Sequence, residues 1–458
     1  MSDAKMKPPV GTVPDVSEIS AEEKHKTLNR VVGSSFLGNF IEWFDYGSYS
    51  YFAGVIALLF FPSDDRLLSL MMTFAVFAIA FFVRPLGAIF WGSYGDKHGR
   101  KEALSLSILL MSAASFLIGC LPSFYMIGIA APILLFVLRL VQGFSASGEY
   151  AGAATFIAEY APAKKRGFYC SMVPASTAAG LAAALVFYTV MVSLTGWTAA
   201  AGVDTVYAEW LWRIPFWLAG PLGYITHYIR TRLEDSPVYM AMREAVDAGG
   251  EKAEDHPFKA LFTKHPKKTV LAFLCAMLNA AGFYAVLTFL PNYLVEIIGF
   301  SESTSGTISM VTTFLYIFMI WFSGKLSDHF GRKKLLIAAA GGFIILTIPC
   351  FMMMGTQSLP LVIAAELIMC LLLTFNDGSL SSYLSETFPT SVRYTGFAFT
   401  FNLANALFGG TWSAVSFALI DFTGNEMSPA YYFIVICVVS LVAMLLSHEH
   451  SGKDLAEV

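Results

Sequence analysis

The sequence predicts an all-α membrane protein with twelve transmembrane helices in two pseudo-symmetric six-helix bundles. Three observations predict it. Apolar residues make up 56% of the 458-residue chain and charged residues only 14%, against roughly a quarter charged in a soluble protein. The charges gather in short stretches, leaving apolar runs of roughly 20 residues, the length that crosses a bilayer. Two motifs also each occur twice. Gly-x-x-x-Asp-x-x-Gly-Arg-Lys appears at Gly92, Asp96, Gly99, Arg100 and Lys101, and again at Gly324, Asp328, Gly331, Arg332 and Lys333. Glu-x-x-Pro-x-x-x-Arg appears at Glu159, Pro162 and Arg166, and again at Glu386, Pro389 and Arg393. Order and spacing hold across both halves, as a duplication would leave them.

The segments follow in order. Residues 1–30 are polar, carry Pro8, Pro9 and Pro14, and show no cleavable signal pattern, so they read as a tail without fixed structure. Apolar runs at about 31–61, 67–95, 103–121, 126–156, 168–193 and 209–230 make an N-terminal bundle, residues 31–230. Residues 231–267 are charged and poor in apolar residues, and form a central loop separating six helices from six. Runs at about 268–299, 303–326, 335–355, 359–386, 394–421 and 430–447 make a C-terminal bundle, residues 268–447, followed by a short tail, 448–458. Lipid offers the backbone no partner, so each run is a helix. Pro85, Pro174, Pro215 and Pro291 are tolerable in that setting.

Orientation follows from Lys and Arg. They cluster before helix 1 and in alternate loops. With Arg84, Arg139 and Arg213 assigned to helices, 25 of the 29 basic residues fall on one side. The other side holds Arg66 and acids such as Asp64, Asp65, Asp204, Glu209, Glu302, Asp421 and Glu426. The basic side is the cytoplasm. Both termini are then inside, and an inner (cell) membrane location is expected. A net charge of −4 offers no basic surface for nucleic acid. Cys120, Cys170, Cys275, Cys350, Cys370 and Cys437 are scattered without metal or redox spacing, so they read as apolar filler. No nucleophile–base or metal cluster points to an enzyme. No cofactor or metal is expected.

At this point the residues carry a resemblance. Two six-helix halves with Gly92-Ser-Tyr-Gly-Asp96-Lys-His-Gly99-Arg100-Lys101 and its copy resemble the major facilitator superfamily. Finer features resemble its metabolite:proton symporter family. They are Gly38-Asn39-Phe40-Ile41-Glu42-Trp43-Phe44-Asp45-Tyr46, Arg84-Pro85-Leu86-Gly87, Arg139-Leu-Val-Gln142-Gly143-Phe144-Ser145, Gly148-Glu149-Tyr150 and Trp212-Arg213-Ile214-Pro215-Phe216. The context of Glu149-Tyr150 and Ala158-Glu159-Tyr160 most resembles the proline/glycine-betaine branch, which imports compatible solutes. The resemblance implies a solute and a proton as partners in the bilayer, the proton gradient as energy source, and a monomer. It also implies that helices 1, 4, 7 and 10 line a central cavity.

Ionisable residues inside spanning helices are costly and usually face a partner or a water-filled cavity. Glu42 and Asp45 lie three apart on helix 1, and Asn39, Tyr46 and Tyr49 lie close to their face. Arg139, Gln142 and Glu149 share a face of helix 4. Arg139 is therefore expected to pair with Glu42 or Asp45 across the cavity. Three acids for one Arg would leave carboxylates free to carry a proton. Glu42, Asp45 and Glu149 all stay open as the carrier, and a permanent ion pair is the plain structural alternative. Arg84 is expected to pack near the cytoplasmic end of helix 2.

The second half supplies Asn279, Tyr284, Thr288 and Asn292 on helix 7, Asn376, Asp377 and Glu366 on helix 10, and Asn402 and Asn405 on helix 11. Asp377 suits a substrate ammonium or a local hydrogen bond beside Gly378. Buried amides are often helix–helix glue. Of the aromatics crowding helix 1, Trp43, Tyr46 and Tyr49 are the candidate ligands for an ammonium, joined by Tyr150. Asp96, Arg100, Glu159 and Arg166, with their copies Asp328, Arg332, Glu386 and Arg393, read as gates. Each Asp pairs with its motif Arg and the end of a helix from the other half, and Glu159 pairs with Arg166 as Glu386 does with Arg393.

Proton-coupled import of a small zwitterion such as proline or glycine betaine is the leading expectation. Uptake of an organic acid (alpha-ketoglutarate, citrate or a shikimate-like acid) is the alternative. Efflux by antiport fits less well, because the resemblance implies a Gly-rich, Pro-containing helix 5 for efflux members, and Ser171-Met-Val-Pro174-Ala-Ser-Thr-Ala-Ala-Gly180 lacks the Gly-Pro pairing. A receptor that does not transport would carry degraded gate motifs, and these are intact.

Overall fold

The protein, in a computed structural model, is described over residues 21–195, 210–248 and 254–455. Twelve long helices follow in order. They are α1 (Ala21–Tyr51), α2 (Arg66–His98), α3 (Arg100–Cys120), α4 (Ala130–Tyr160), α5 (Ala163–Thr195) and α6 (Ile214–Thr231) in the first half. In the second they are α7 (Pro266–Glu296), α8 (Glu302–Phe330), α9 (Arg332–Gly355), α10 (Leu359–Thr387), α11 (Thr390–Thr423) and α12 (Ser428–Leu446). Among the described residues, ten of these are long and apolar enough to cross a membrane. α1, diluted by Asn39, Glu42 and Asp45, and the shorter α6 complete the twelve.

Two boundaries differ from expectation. α1 begins at Ala21, not near residue 31. Its opening turns are charged but rich in good helix formers, and Glu22 and Glu23 sit where the helix dipole favours acids. The segment expected as a plain central loop holds two short helices, Pro237–Asp247 and Pro257–Thr263. Residues 1–20 of the expected tail, and Asp204 and Glu209, lie outside the described residues.

The repeated motif works in the same way in both halves. Gly99 (φ 112°) and Gly331 (φ 98°) turn the chain between α2 and α3 and between α8 and α9 with backbone angles that suit glycine alone. The first glycine of each copy lets two halves touch. A Cβ at Gly92 would lie 2.6 Å from Thr395 Cα, and one at Gly324 would lie 2.8 Å from Gly167 O. The halves therefore meet along α2–α11 and, in pseudo-symmetry, along α5–α8, with α4 against α10 between them. The outer surface shows Phe82, Leu86, Phe318 and Phe322 more than half exposed, as lipid contact requires. Near the centre, α7 and α11 each widen into a π segment, Ala285–Phe289 and Asn405–Gly409.

Candidate functional site

At the face bearing the repeated motifs, the two halves are bolted together by carboxylates. Asp96 accepts the N–H groups of Tyr394 (3.2 Å) and Thr395 (2.9 Å) and the Thr395 hydroxyl (2.6 Å). Asp328 accepts the N–H groups of Gly167 (2.8 Å) and Phe168 (2.9 Å). Each acid thus caps the start of a helix in the other half, where free N–H groups and the helix dipole favour an anion. Each also pairs with its own motif arginine, Arg100 at 2.9 Å and Arg332 at 2.8 Å.

The second motif pairs differently from expectation. Glu159 does not hold Arg166, nor Glu386 Arg393. The pairs cross between halves: Arg393 meets Glu159 and Arg166 meets Glu386, each at 2.8 Å. Arg100 and Arg332 add longer contacts to the same acids, 3.3 Å each. The reason is geometric. Arg166 and Arg393 open helices that abut the opposite half, so each guanidinium reaches across the seam.

Two segments missed by the sequence reading reinforce this closure. After α6, Asp235 Oδ1 accepts the N–H of Arg100 (3.1 Å), and the Ser236 hydroxyl donates to Glu159. Burial lifts the Asp235 carboxyl above the usual range, against the Ser236 N–H and the Arg100 guanidinium. After α12, Glu449 accepts the N–H of Lys333 (2.8 Å), while Arg166 donates to Lys453 O (3.2 Å) and Arg393 to Leu455 O (2.8 Å). Leu455 is 1% exposed. The available signal was positional: Asp235 and Glu449 follow the last helix of each half at nearly the same distance.

Deeper in the first half, the three acids do not share one arginine. Asp45 pairs with Arg139 at 3.2 Å, Glu42 with Arg84 at 2.5 Å, and Glu149 with Arg230 through two bonds. Arg84, expected to pack at a helix end, is thus a buried ion-pair partner. Arg230, expected at the end of helix 6 and counted with the basic residues of the cytoplasmic side, reaches back into the bundle from the last turn of α6. Gln142 completes the Asp45 cluster, donating to Asp45 (3.0 Å) and to Ser115 (2.6 Å).

The central cavity lies between the halves and is small, about 20 Å³, room for about one water. Trp43, Tyr150, Asn279 and Asp377 line it, as do Phe283, Phe401, Asn405, Pro174 and Thr177. No Lys or Arg is in this lining. Asp377 is 2% exposed, accepts from Asn279 and Tyr316, and has no cation partner among the described residues. Trp43 Nε1 is buried without an acceptor. Phe283, Phe401, Pro174 and Thr177 were missed, because apolar and small residues on spanning helices carry no sign of which face is wet.

The other candidates lie outside this lining. Asn39 donates to Val173 O (3.0 Å), Ser176 (2.8 Å) and Thr177 (2.8 Å), joining α1 to α5. Tyr49 donates to Thr73 O (3.1 Å) and covers the Arg139 guanidinium at 3.6 Å. Tyr46 lies under Arg84, Tyr284 packs on Phe81, and Asn376 accepts from Asn279 at 3.0 Å. Glu366 accepts from Thr312 (3.1 Å), away from the cavity.

The comparisons with known proteins agree with this architecture. The family model described as the Major Facilitator Superfamily matches residues 35–414. The chain is 33% identical over 432 residues to the Proline/betaine transporter of Escherichia coli (strain K12), covering 93% of this chain and 85% of that one. It is 34% identical over 432 residues to the Glycine betaine/proline/ectoine/pipecolic acid transporter OusA of Dickeya dadantii (strain 3937), covering 93% of this chain and 85% of that protein. Among solved structures it resembles the proton:xylose symporter XylE bound to 6-bromo-6-deoxy-D-glucose. The TM-score is 0.75 at 16% identity, over 95% of this chain and 98% of that one, a likeness of fold.

Proposed function

This chain belongs to the Major Facilitator Superfamily, and we propose that it imports a small zwitterion of the proline or glycine betaine class together with protons. As a member it is a multi-pass membrane transporter rather than an enzyme. In the proposed reading it works as a monomer in the inner membrane, with both termini and the motif-bearing face in the cytoplasm.

One observation carries the substrate class: the cavity sets an acid without a cation partner beside a buried N–H donor without an acceptor. Asp377 lacks a cation, and Trp43, Tyr150, Phe283 and Phe401 place aromatic rings beside it. A substituted ammonium is attracted both to a carboxylate and to ring faces. The unpartnered Trp43 N–H supplies a donor for the solute carboxylate. Arg139 and Arg84 are held by Asp45 and Glu42 instead. A dianion would need a cation in the lining, which argues against the organic-acid alternative.

The cycle follows from two related halves hinged about a central site. With the capping acids and crossed pairs made, the cytoplasmic face is shut. Solute bound from outside adds contacts to both halves, and the closure on the inside is then exchanged for closure on the outside. The test is uptake by purified protein in proteoliposomes with an imposed inward proton gradient, against labelled proline, glycine betaine, ectoine and succinate. Gradient-dependent accumulation of the zwitterions is expected. Accumulation of succinate alone would reject the substrate class, and accumulation indifferent to the gradient would reject the coupling.

A further inference from the structure

Apart from the motif contacts of Arg100, the described residues hold three buried ion pairs within the first half, and they differ in what encloses them. Asp45–Arg139 is held by Gln142 and the Tyr49 ring. Glu149–Arg230 is held by Leu104 O (2.9 Å) and Ser34 O (3.2 Å). Those partners all belong to the first half, and in alternating access a half moves largely as one body. The third pair is built otherwise. Arg84 Nη2 holds Glu42 at 2.5 Å, while its Nε donates to Asn402 Oδ1 at 3.1 Å, on α11 of the second half. Asn402 is oriented in turn, because its Nδ2 donates to Ala398 O and, back across the seam, to Ser147 O, both at 2.8 Å. Asn402 follows Thr395 by seven residues, about 10 Å along the helix. Thr395 is the residue that Asp96 caps. Opening this face therefore takes α11, and Asn402 with it, away from Arg84.

We infer that Glu42, Arg84 and Asn402 form the switch that ties proton release to opening, with Asn402 as a positioning residue for the proton site. The inference rests on the symport reading above. With the face shut, Arg84 divides its donors between Glu42 and Asn402. The second oxygen of Glu42, Oε2, is buried without a partner, and in this proposal it carries the proton. When α11 leaves, Arg84 has Glu42 as its remaining acceptor and turns wholly to it. The O–H bond of Glu42 breaks, the proton passes to water in the opened cavity, and the carboxylate stays paired with Arg84. Asp45, with its partners fixed inside one half, feels no such change.

Charged and titratable groups face Glu42 from five helices among the described residues. Arg84 faces it from α2, Asp45 and Tyr46 from its own helix, Glu149 from α4 with its partner Arg230 from α6, and Tyr284 from α7. Arg139 reaches the Tyr46 ring at 5.9 Å. Of these, Arg84 is the one held by a group that departs with the other half.

The experiment uses full-length protein in proteoliposomes with labelled glycine betaine and a trapped pH dye. Wild type should acidify the lumen on betaine addition; betaine entry without acidification sinks the symport reading and this inference together. With coupling established, Glu42→Gln should lose gradient-driven accumulation, and its residual counterflow should no longer vary with pH. Asn402→Leu leaves Arg84 to Glu42 throughout, so the pH midpoint of uptake should fall by about one unit. Asn402→Asp draws Arg84 away, so the midpoint should rise. A merely structural role would not move the midpoint in opposite directions, and the Asp variant keeps the test alive where the Leu variant folds poorly. If both Asn402 variants keep the wild-type midpoint, or if Asp45→Asn flattens the pH profile and Glu42→Gln does not, the inference is wrong.

Discussion

Replacing Asp96 with Asn should unlock the motif-bearing face. The substitution keeps size and shape but removes the charge. In the wild type, Oδ1 and Oδ2 each accept one backbone N–H, from Tyr394 and Thr395, and Oδ2 also accepts the Thr395 hydroxyl. An amide presents an NH2 group to one of those donors, so at least one charge-assisted bond is lost and two donors face each other. Bonds to charged groups contribute roughly 1.5–3 kcal/mol, and an anion at a helix start roughly 0.3–1 kcal/mol. The ion pair to Arg100 adds little to the loss, because Arg100 keeps Glu159, Gly95 O and Thr390 O. The shut state should therefore lose about 2–4 kcal/mol relative to the open one, roughly a 30-fold to 700-fold shift in the equilibrium. Cys170 reports it. The thiol is fully buried beside the seam. With the other five cysteines changed to alanine, its alkylation by a charged maleimide in inside-out vesicles measures the open fraction. Asp96→Asn should raise that rate until the open state predominates, and Asp328→Asn should do the same. Wild-type labelling in both variants would refute the reasoning.

The remaining predictions use similar assays. Double-mutant cycles should find strong coupling between Arg166 and Glu386 and between Arg393 and Glu159, since leaving one partner of a buried pair costs about 3–5 kcal/mol. Within a motif, Glu159 and Arg166 should act nearly independently; the reverse result would contradict the crossed geometry. Asp377→Asn should weaken zwitterion binding about tenfold to a hundredfold, from the loss of one charge-assisted contact, measured by competition with excess proline or betaine; unaltered competition would remove Asp377 from the ammonium site. Leu455→Asp should expose a buried anchor whose apolar contribution is about 1.5–3 kcal/mol, raising Cys170 labelling at least several-fold. Labelling unaltered by that change would mean the segment after α12 does not bear on closure.

The fold was legible because a bilayer permits so little. Spanning segments must be helices of about 20 apolar residues, and the duplicated motifs fixed which ends lie together. Partner choice was not legible in the same way. Glu42 and Asp45 are three apart and share a face, yet they point about 60° apart around the helix axis. That is enough to send Glu42 to Arg84 on α2 and Asp45 to Arg139 on α4. Spacing tells which side a residue faces, not which neighbouring helix stands there. Arg230 shows the same gap from another direction. At the end of α6 it looked like one of the flanking basic residues, but it is fully buried, and its long side chain reaches Glu149. The start of α1 was hidden for a different reason, since charged residues that form good helices look, in composition, like a solvated tail.

The crossed pairs also bear on how the chain is made. Glu159 finds its partner Arg393 only 234 residues later in the sequence. At typical rates of synthesis that is a wait of roughly ten to fifty seconds. Through that interval the first half sits in the bilayer with Glu159 limited to Arg100 and Ser236, and with Arg166 still without Glu386. Water and lipid headgroups must hold these charges at the surface until α10 and α11 arrive. The first half is thus inserted before it is finished, and its last polar contacts are made by the second half as it docks. Slowing elongation between α6 and α10 would lengthen the life of that half-built intermediate. Quality-control proteases that survey the membrane would then have longer to find it.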